Sequence, residues 1–192
     1  DLIYKLDLNN KPALDRVRDL FLIGCYTALR FSDFSNIRPE NIITTSKGGR
    51  ALKINAFKTQ QTVIIPIHPR VEEILAKYEN NLPKAISNQK MNVYLKKIGE
   101  EAEIKTLVEI TKTIGGKRVQ TTVPKYKLIT THTARRTGAT NMYLAGVPSL
   151  AIMQITGHKT ESVFMKYICI DAEQNANLMM QHDFFKPKLR VV

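Results

Sequence analysis

Residues Thr131 to Tyr167 read THTARRTGATNMYLAGVPSLAIMQITGHKTESVFMKY. The stretch divides into three helices. The first runs from about His132 to Ala145. Pro148, at a first helical turn, starts the second, which stops at Gly157. Thr160 caps the third, which carries Tyr167. His132 and Arg135 share one face near the start of the first helix, where free N–H groups and the positive dipole end suit an anion. Arg136 points about a quarter-turn away, toward the surface. His158 follows directly on the Gly157 stop, and Tyr167 comes nine positions later on a stripe with Val163 and Phe164. Two readings are open. A tyrosine on such a stripe is ordinarily core with its hydroxyl satisfied; alternatively, the last helix joins a phosphate-contacting histidine to a nucleophile.

Working outward, the rest of the chain alternates helices with short strands. Pro12 opens a helical pattern through Leu14, Val17, Phe21 and Cys25 that ends near Leu29–Arg30, and Ser32 or Asp33 is placed to cap a short second helix. NIITT, ALKINAF and TVIIPI read as three strands of an antiparallel meander, turning at SKGGR and KTQQ. Pro69 starts a helix through about Asn80. SNQKMNVYLKKIGEEAEI is amphipathic, with Met91, Leu95, Ile98 and Ala102 on one stripe. TLVEITKTIGGKRVQTTVP alternates apolar and polar residues around Gly115-Gly116, the pattern of a second hairpin. From Asp171 the tail holds one more short helix and ends in basic KPKLRVV. The expected fold class is mainly α with small antiparallel β-sheets (α+β), in one unit without repeats or linkers.

Composition narrows the function. A chain of 192 residues with 43% hydrophobic content supports one domain with a sizeable core. No apolar run approaches the roughly 18 residues that span a bilayer, and no signal peptide opens the chain, so no membrane role is expected. The first residue is Asp1 and a helical pattern follows almost at once, which suggests a domain cut from a longer protein. Cys25 and Cys169 lie in apolar helical patterns and read as buried free thiols of a reducing, cytoplasmic compartment. The net charge of +12 points to an anionic polymer as partner. Residues 84–127 hold ten basic side chains against four acidic ones, whereas residues 1–40 are balanced. A single lysine there is plain solvated surface, but the whole excess favours nucleic acid.

What is missing matters as much. There is no GxxxxGK[ST] phosphate loop. The four histidines, His68, His132, His158 and His182, are scattered and lack the paired ligands of a zinc site. Acidic residues are sparse around the polar motifs, against a two-metal nuclease. Catalysis would have to be free of metal and of any cofactor. Two further cations stand at element ends. Arg30, in TALRFSD, follows an apolar helix with Asp33 close enough to hold its guanidinium; its plain reading is a helix-ending arginine favoured by the dipole. Lys58 stands at the KTQQ turn, where a lysine is ordinarily soluble surface.

The order Arg30, Lys58, His132-x-x-Arg135, Gly157-His158, Tyr167 resembles the catalytic domain of the tyrosine recombinase (phage integrase) family, especially integrases of bacterial mobile elements such as conjugative transposons and prophages. The likeness runs from about residue 10 to 175 through TALRFSD, KTQQTVIIPI, THTARRTGAT and ITGHKTESVFMKY. Three positions depart from the commoner pattern: Ala28 for a glycine, Gly138 for a bulky apolar residue and Thr156 for a leucine. All three read as packing positions.

The resemblance implies a metal- and ATP-independent DNA recombinase working through a 3′-phosphotyrosine intermediate. Arg30, Arg135 and His158 would hold the phosphate oxygens, since arginines fork onto paired oxygens. Tyr167 would be the nucleophile, His132 would accept or relay its proton, and Lys58 would protonate the leaving 5′ oxygen. Asp33 would support Arg30 or a histidine. Arg136, Lys117, Arg118, Lys125 and Lys127 are candidate DNA contacts. Residues 1–175 would be the catalytic domain, and 176–192 a C-terminal segment exchanged between protomers through Leu178–Met179 and Phe184–Phe185. Further implications are a homotetramer on double-stranded DNA, accessory DNA-bending proteins and a place on the bacterial nucleoid. Two other readings stay open: a non-catalytic helix-turn-helix DNA reader built on residues 148–170, and a type IB topoisomerase with the same chemistry.

Overall fold

The computed structural model describes residues 1–58, 60–168 and 170–186. Cys169 and the last part of the basic tail lie outside the described residues. After a single-turn helix α1 (Leu2–Lys5), helix α2 (Pro12–Thr27) forms the axis of the molecule. Val17, Leu20, Phe21, Leu22, Ile23 and Cys25 are all buried on it, and it packs against the later helices Pro69–Lys77, Asn88–Glu101 and Thr131–Leu144.

The end of α2 differs from the sequence reading. It stops at Thr27, because Ala28 turns left-handed at φ 55° and gives its N–H to Gly24 O. Arg30 therefore occupies the extended position ahead of helix α3 (Phe31–Phe34), and Ser32 and Asp33 fall inside that helix instead of capping it.

Strands β1 (Ile42–Thr44), β2 (Arg50–Asn55) and β3 (Thr62–Pro66) form the expected antiparallel meander in that order. Leu52 pairs with Ile65 and Ile54 with Val63, and these four side chains are the buried face. Alternation along each strand places them there together. Helix α4 (Pro69–Lys77) follows, then α5 (Asn88–Glu101), which buries Met91, Leu95 and Ile98. Strands β4 (Leu107–Ile114) and β5 (Lys117–Pro124) pair as a two-stranded arm that turns at Gly115-Gly116 and leaves β5 largely exposed.

Helix α6 (Thr131–Leu144) lies against α2, and the pair comes very close at one point. A Cβ on Gly138 would stand 2.9 Å from both Ala28 N and Cys25 O. Only a hydrogen fits there. Two of the departures from the commoner pattern thus meet across one contact. Helices α7 (Ser149–Thr156), α8 (Glu161–Ile168) and α9 (Ala172–Met180) complete the chain.

A second small core joins α6, α7 and α8 through Ala28, Ala139, Ile152, Met153, Phe164 and Ile168. Phe164 is fully enclosed, and burial of a phenylalanine contributes about 1.5–3 kcal/mol. Val163 does not share that face. It is 55% exposed, because only positions three or four apart stay on one side of a helix. This second core holds the ends of α6, α7 and α8 together, and the polar motifs lie at those ends.

Candidate active site

Arg135 enters from the first turns of α6 and is buried. Its Nη1 donates to Ala28 O at 2.9 Å, and its Nη2 donates to Thr156 O. Arg30 reaches the same acceptor, with Nη2 at 3.1 Å from Thr156 O. Thr156 is the last residue of α7, where carbonyls have no partner within the helix and the dipole is negative. That carbonyl offsets the repulsion between two guanidinium groups. Burial, and next the Arg30 charge, push the Arg135 pKa down to about 10, against an opposing pull from Tyr167 and Asp33. It remains a cation at neutral pH.

Gly157 turns left-handed at φ 67° and ends α7, which brings His158 back over Thr156. His158 Nδ1 lies 2.8 Å from Thr156 Oγ1. Burial, Arg135 and Arg30 hold the His158 pKa below the usual imidazole value. His132 is held down likewise by burial, Arg135 and Arg136.

Tyr167 stands between these two rings. Its centroid is 4.7 Å from that of His158 and 5.5 Å from that of His132. Its hydroxyl is buried with no hydrogen-bond partner. Burial raises its pKa, while Arg135 first, then Arg136 and Arg30, pull the other way. Arg135 is close enough to favour phenolate without making a well-formed hydrogen bond to the phenol. The backbone of α8 is fixed from α6: Arg136 Nε donates to Tyr167 O at 2.9 Å, and Thr140 Oγ1 donates to Ile168 O at 3.1 Å.

Asp33 is buried. Its Oδ1 accepts from Phe57 N–H at 3.0 Å and from the Ser32 hydroxyl at 3.4 Å, so its hydrogen bonds do not go to Arg30. It ties down the β2–β3 turn at the residue before Lys58. Its Oδ2 is buried and unpartnered. Among the described residues, the only two such orphaned side-chain atoms are Asp33 Oδ2 and the Tyr167 hydroxyl. Buried polar groups are normally paired, and both exceptions fall on candidate site residues.

Arg30, His132, Arg135, His158 and Tyr167 are thus brought together from α6, α8, the turn that ends α7 and the turn before α3. Lys58 is exposed on its turn and, among the described residues, shares no hydrogen bond or ion pair with them. Arg136 bonds to the backbone at the end of α8, while Lys117, Arg118, Lys125 and Lys127 are exposed on β5 and the single 3-10 turn after it. The sequence reading missed Thr156 as a site residue. A hydroxyl at a normally apolar position two residues before a histidine was the available signal; its carbonyl role carries none. Among the described residues, no three His, Cys, Asp or Glu side chains gather where they could hold a metal ion, and no helix is long and apolar enough to cross a membrane. A cavity of about 1190 Å³ is lined by β3, α6 and α7 groups such as Val63, Met142 and Ile155 and includes none of the six candidate catalytic side chains.

The sequence profile of the phage integrase family matches residues 3–174. No curated protein matches the chain. Among solved structures, XerH site-specific recombinase bound to palindromic difH substrate, in a post-cleavage complex, superposes with a TM-score of 0.63 at 15% identity. That match covers 93% of this chain and 48% of XerH. XerA recombinase gives a TM-score of 0.62 at 14% identity, over 92% of this chain and 58% of XerA. The Tn1549 transposon integrase in complex with a circular intermediate DNA gives 0.56 at 16% identity, over 94% of this chain and 62% of that protein. The chain therefore spans about half to three-fifths of the length of these structures.

Proposed function

The chain belongs to the phage integrase family, and from that premise we propose that residues 1–175 form the catalytic domain of a site-specific DNA recombinase. One observation carries the reading: a buried, unpartnered tyrosine hydroxyl lies between two histidine rings, beside two arginines converging on one carbonyl. An isolated reader of DNA has no use for that arrangement.

In the proposed reaction, the Tyr167 oxygen attacks a backbone phosphorus as its proton passes to His132. The bond from phosphorus to the 5′ oxygen breaks, and Lys58 protonates that oxygen. Arg30, Arg135 and His158 take the charge that grows on the equatorial oxygens, the kind of preorganised donor set that lowers such a barrier most. The product is a 3′-phosphotyrosine, which conserves the energy of the broken bond. A second strand's 5′ hydroxyl reverses the step, so no ATP is consumed. Asp33 acts on this chemistry by tying Phe57 N–H and hence the Lys58 turn.

Double-stranded DNA is the proposed partner; the net charge of +12 supports it, as do solved relatives described as DNA complexes. We assign Lys117, Arg118, Lys125 and Lys127 to the duplex backbone. Residues 176–192 are proposed to dock on a neighbouring protomer in a homotetramer assembled on DNA with accessory bending proteins, on the bacterial nucleoid. The exposure of Met179, Phe184 and Phe185 supports this, since α9 buries none of its residues at home.

The test uses a nicked suicide substrate that traps the covalent intermediate. Tyr167→Phe is expected to bind DNA as the parent does and to form no adduct. An adduct that survives the substitution removes Tyr167 as nucleophile.

A further inference from the structure

We propose that Thr156 is a positioning residue that holds the His158 ring in the form protonated at Nδ1, so that Nε2 donates to a phosphate only when the ring is a cation. The proposal deepens the reading above and rests on it for its catalytic consequence. Its structural half stands alone.

The argument turns on one proton. The Thr156 side chain is fully buried. Its Oγ1 makes two short contacts, to Ile152 O at 3.0 Å and to His158 Nδ1 at 2.8 Å. A hydroxyl has a single proton to give. The Ile152 carbonyl is only an acceptor, so a contact of 3.0 Å to it needs the threonine proton between the two oxygens. The lone pairs of Oγ1 then face Nδ1, which must itself carry a hydrogen. The reverse arrangement sends the hydroxyl proton to Nδ1 and leaves two oxygens facing each other with none. Back-bonding from threonine to the carbonyl four residues earlier is a common helical habit. The hydrogen bond on one imidazole nitrogen decides which tautomer is present, and here that fixes the neutral ring with a bare Nε2.

The surroundings agree. Arg135 of α6 and Arg30 ahead of α3 both face the ring and disfavour its cation. The Tyr167 and Phe164 rings of α8 pack against it at 4.7 and 5.7 Å between centroids. His132 lies beyond the Tyr167 ring, Lys159 is the exposed next residue, and no carboxylate hydrogen-bonds to the ring among the described residues. The described residues thus give the ring no hydrogen-bonded acidic partner to stabilise its cation, and a DNA phosphate is such a partner. Nε2 gains its hydrogen when that phosphate arrives.

The tautomer is read in the free protein from two-dimensional ¹H–¹⁵N spectra of the histidine rings, with His158 assigned by its absence in His158→Gln. Above the imidazole pKa, the parent and Thr156→Ser are expected to show the proton on Nδ1, and Thr156→Val to show it on Nε2. An Nε2 proton in the parent overturns the proposal, even where the valine variant fails to fold. So does a valine variant that keeps the parent's tautomer. No DNA is involved, so this failure is separable from failure of the cleavage chemistry. The consequence is then read from single-turnover cleavage against pH. The parent and the serine variant are expected to lose about tenfold per pH unit above the ring's pKa in the DNA complex, and the valine variant to lose that limb. The same limb in the valine variant overturns the catalytic half.

Discussion

A buried phenol resists ionisation, and at Tyr167 that resistance is met by three arginines of which Arg135 acts most strongly. Arg135→Ala should therefore reduce single-turnover cleavage by at least about two to three orders of magnitude, as loss of one preorganised donor does elsewhere. Arg135→Lys should recover little, because an ammonium cannot bridge the Ala28 and Thr156 carbonyls that the guanidinium joins. Near-normal cleavage by the alanine variant removes Arg135 from the clamp. Lys58 stands apart on its turn, and its acid role has its own test. Lys58→Ala should be restored by a 5′-phosphorothiolate, whose sulfur leaves without a proton, and no rescue argues against the role. At this scale the side chains that the fold gathers at the candidate site are legible because their types, order and spacing are written in the chain. Their main-chain partners are not. Thr156 O, Ala28 O and Phe57 N–H have no side-chain signature, so the sequence, which offers Arg30 or a histidine as the partner of Asp33, does not reveal its bond to the β2–β3 turn.

Among the elements, periodicity revealed nearly every helix and both hairpins. Boundaries that depend on a neighbour stayed hidden. Alanine has no preference for a left-handed turn, yet Ala28 adopts one where the bare face of Gly138 presses on it. Ala28 and Gly138 read in sequence as unrelated departures; in the fold they are one contact between α2 and α6. Gly138→Ala should accordingly lower stability by about 1–3 kcal/mol, since the atoms it meets are backbone and cannot turn aside. A drop in the chemical-denaturation midpoint measures this. The same variant should weaken cleavage, because α6 carries His132 and Arg135. An unchanged midpoint would show that the helices separate without cost. Likewise Val163 and Phe164, adjacent in sequence, face solvent and core respectively, which a glance at apolar neighbours does not separate.

For the whole molecule, His68, His132 and His158 all have pKa values below the ordinary 6.5, with burial the first cause in each. The unfolded chain thus binds protons first as pH falls. The stability linked to these rings is complete above about 6.5 and is lost as pH drops through their folded values. The thermal midpoint should fall between pH 7 and pH 5, and His158→Gln should flatten that fall; a parent midpoint independent of pH across this range contradicts the burial of neutral rings. The +12 charge that first suggested nucleic acid says nothing by itself about breaking it. That claim rests on one oxygen. The most direct measurement digests the covalent complex trapped on a nicked suicide substrate and identifies the peptide that carries the nucleotide. The account predicts the linkage on Tyr167, whereas attachment to Tyr143, to another hydroxyl or to no residue at all contradicts it.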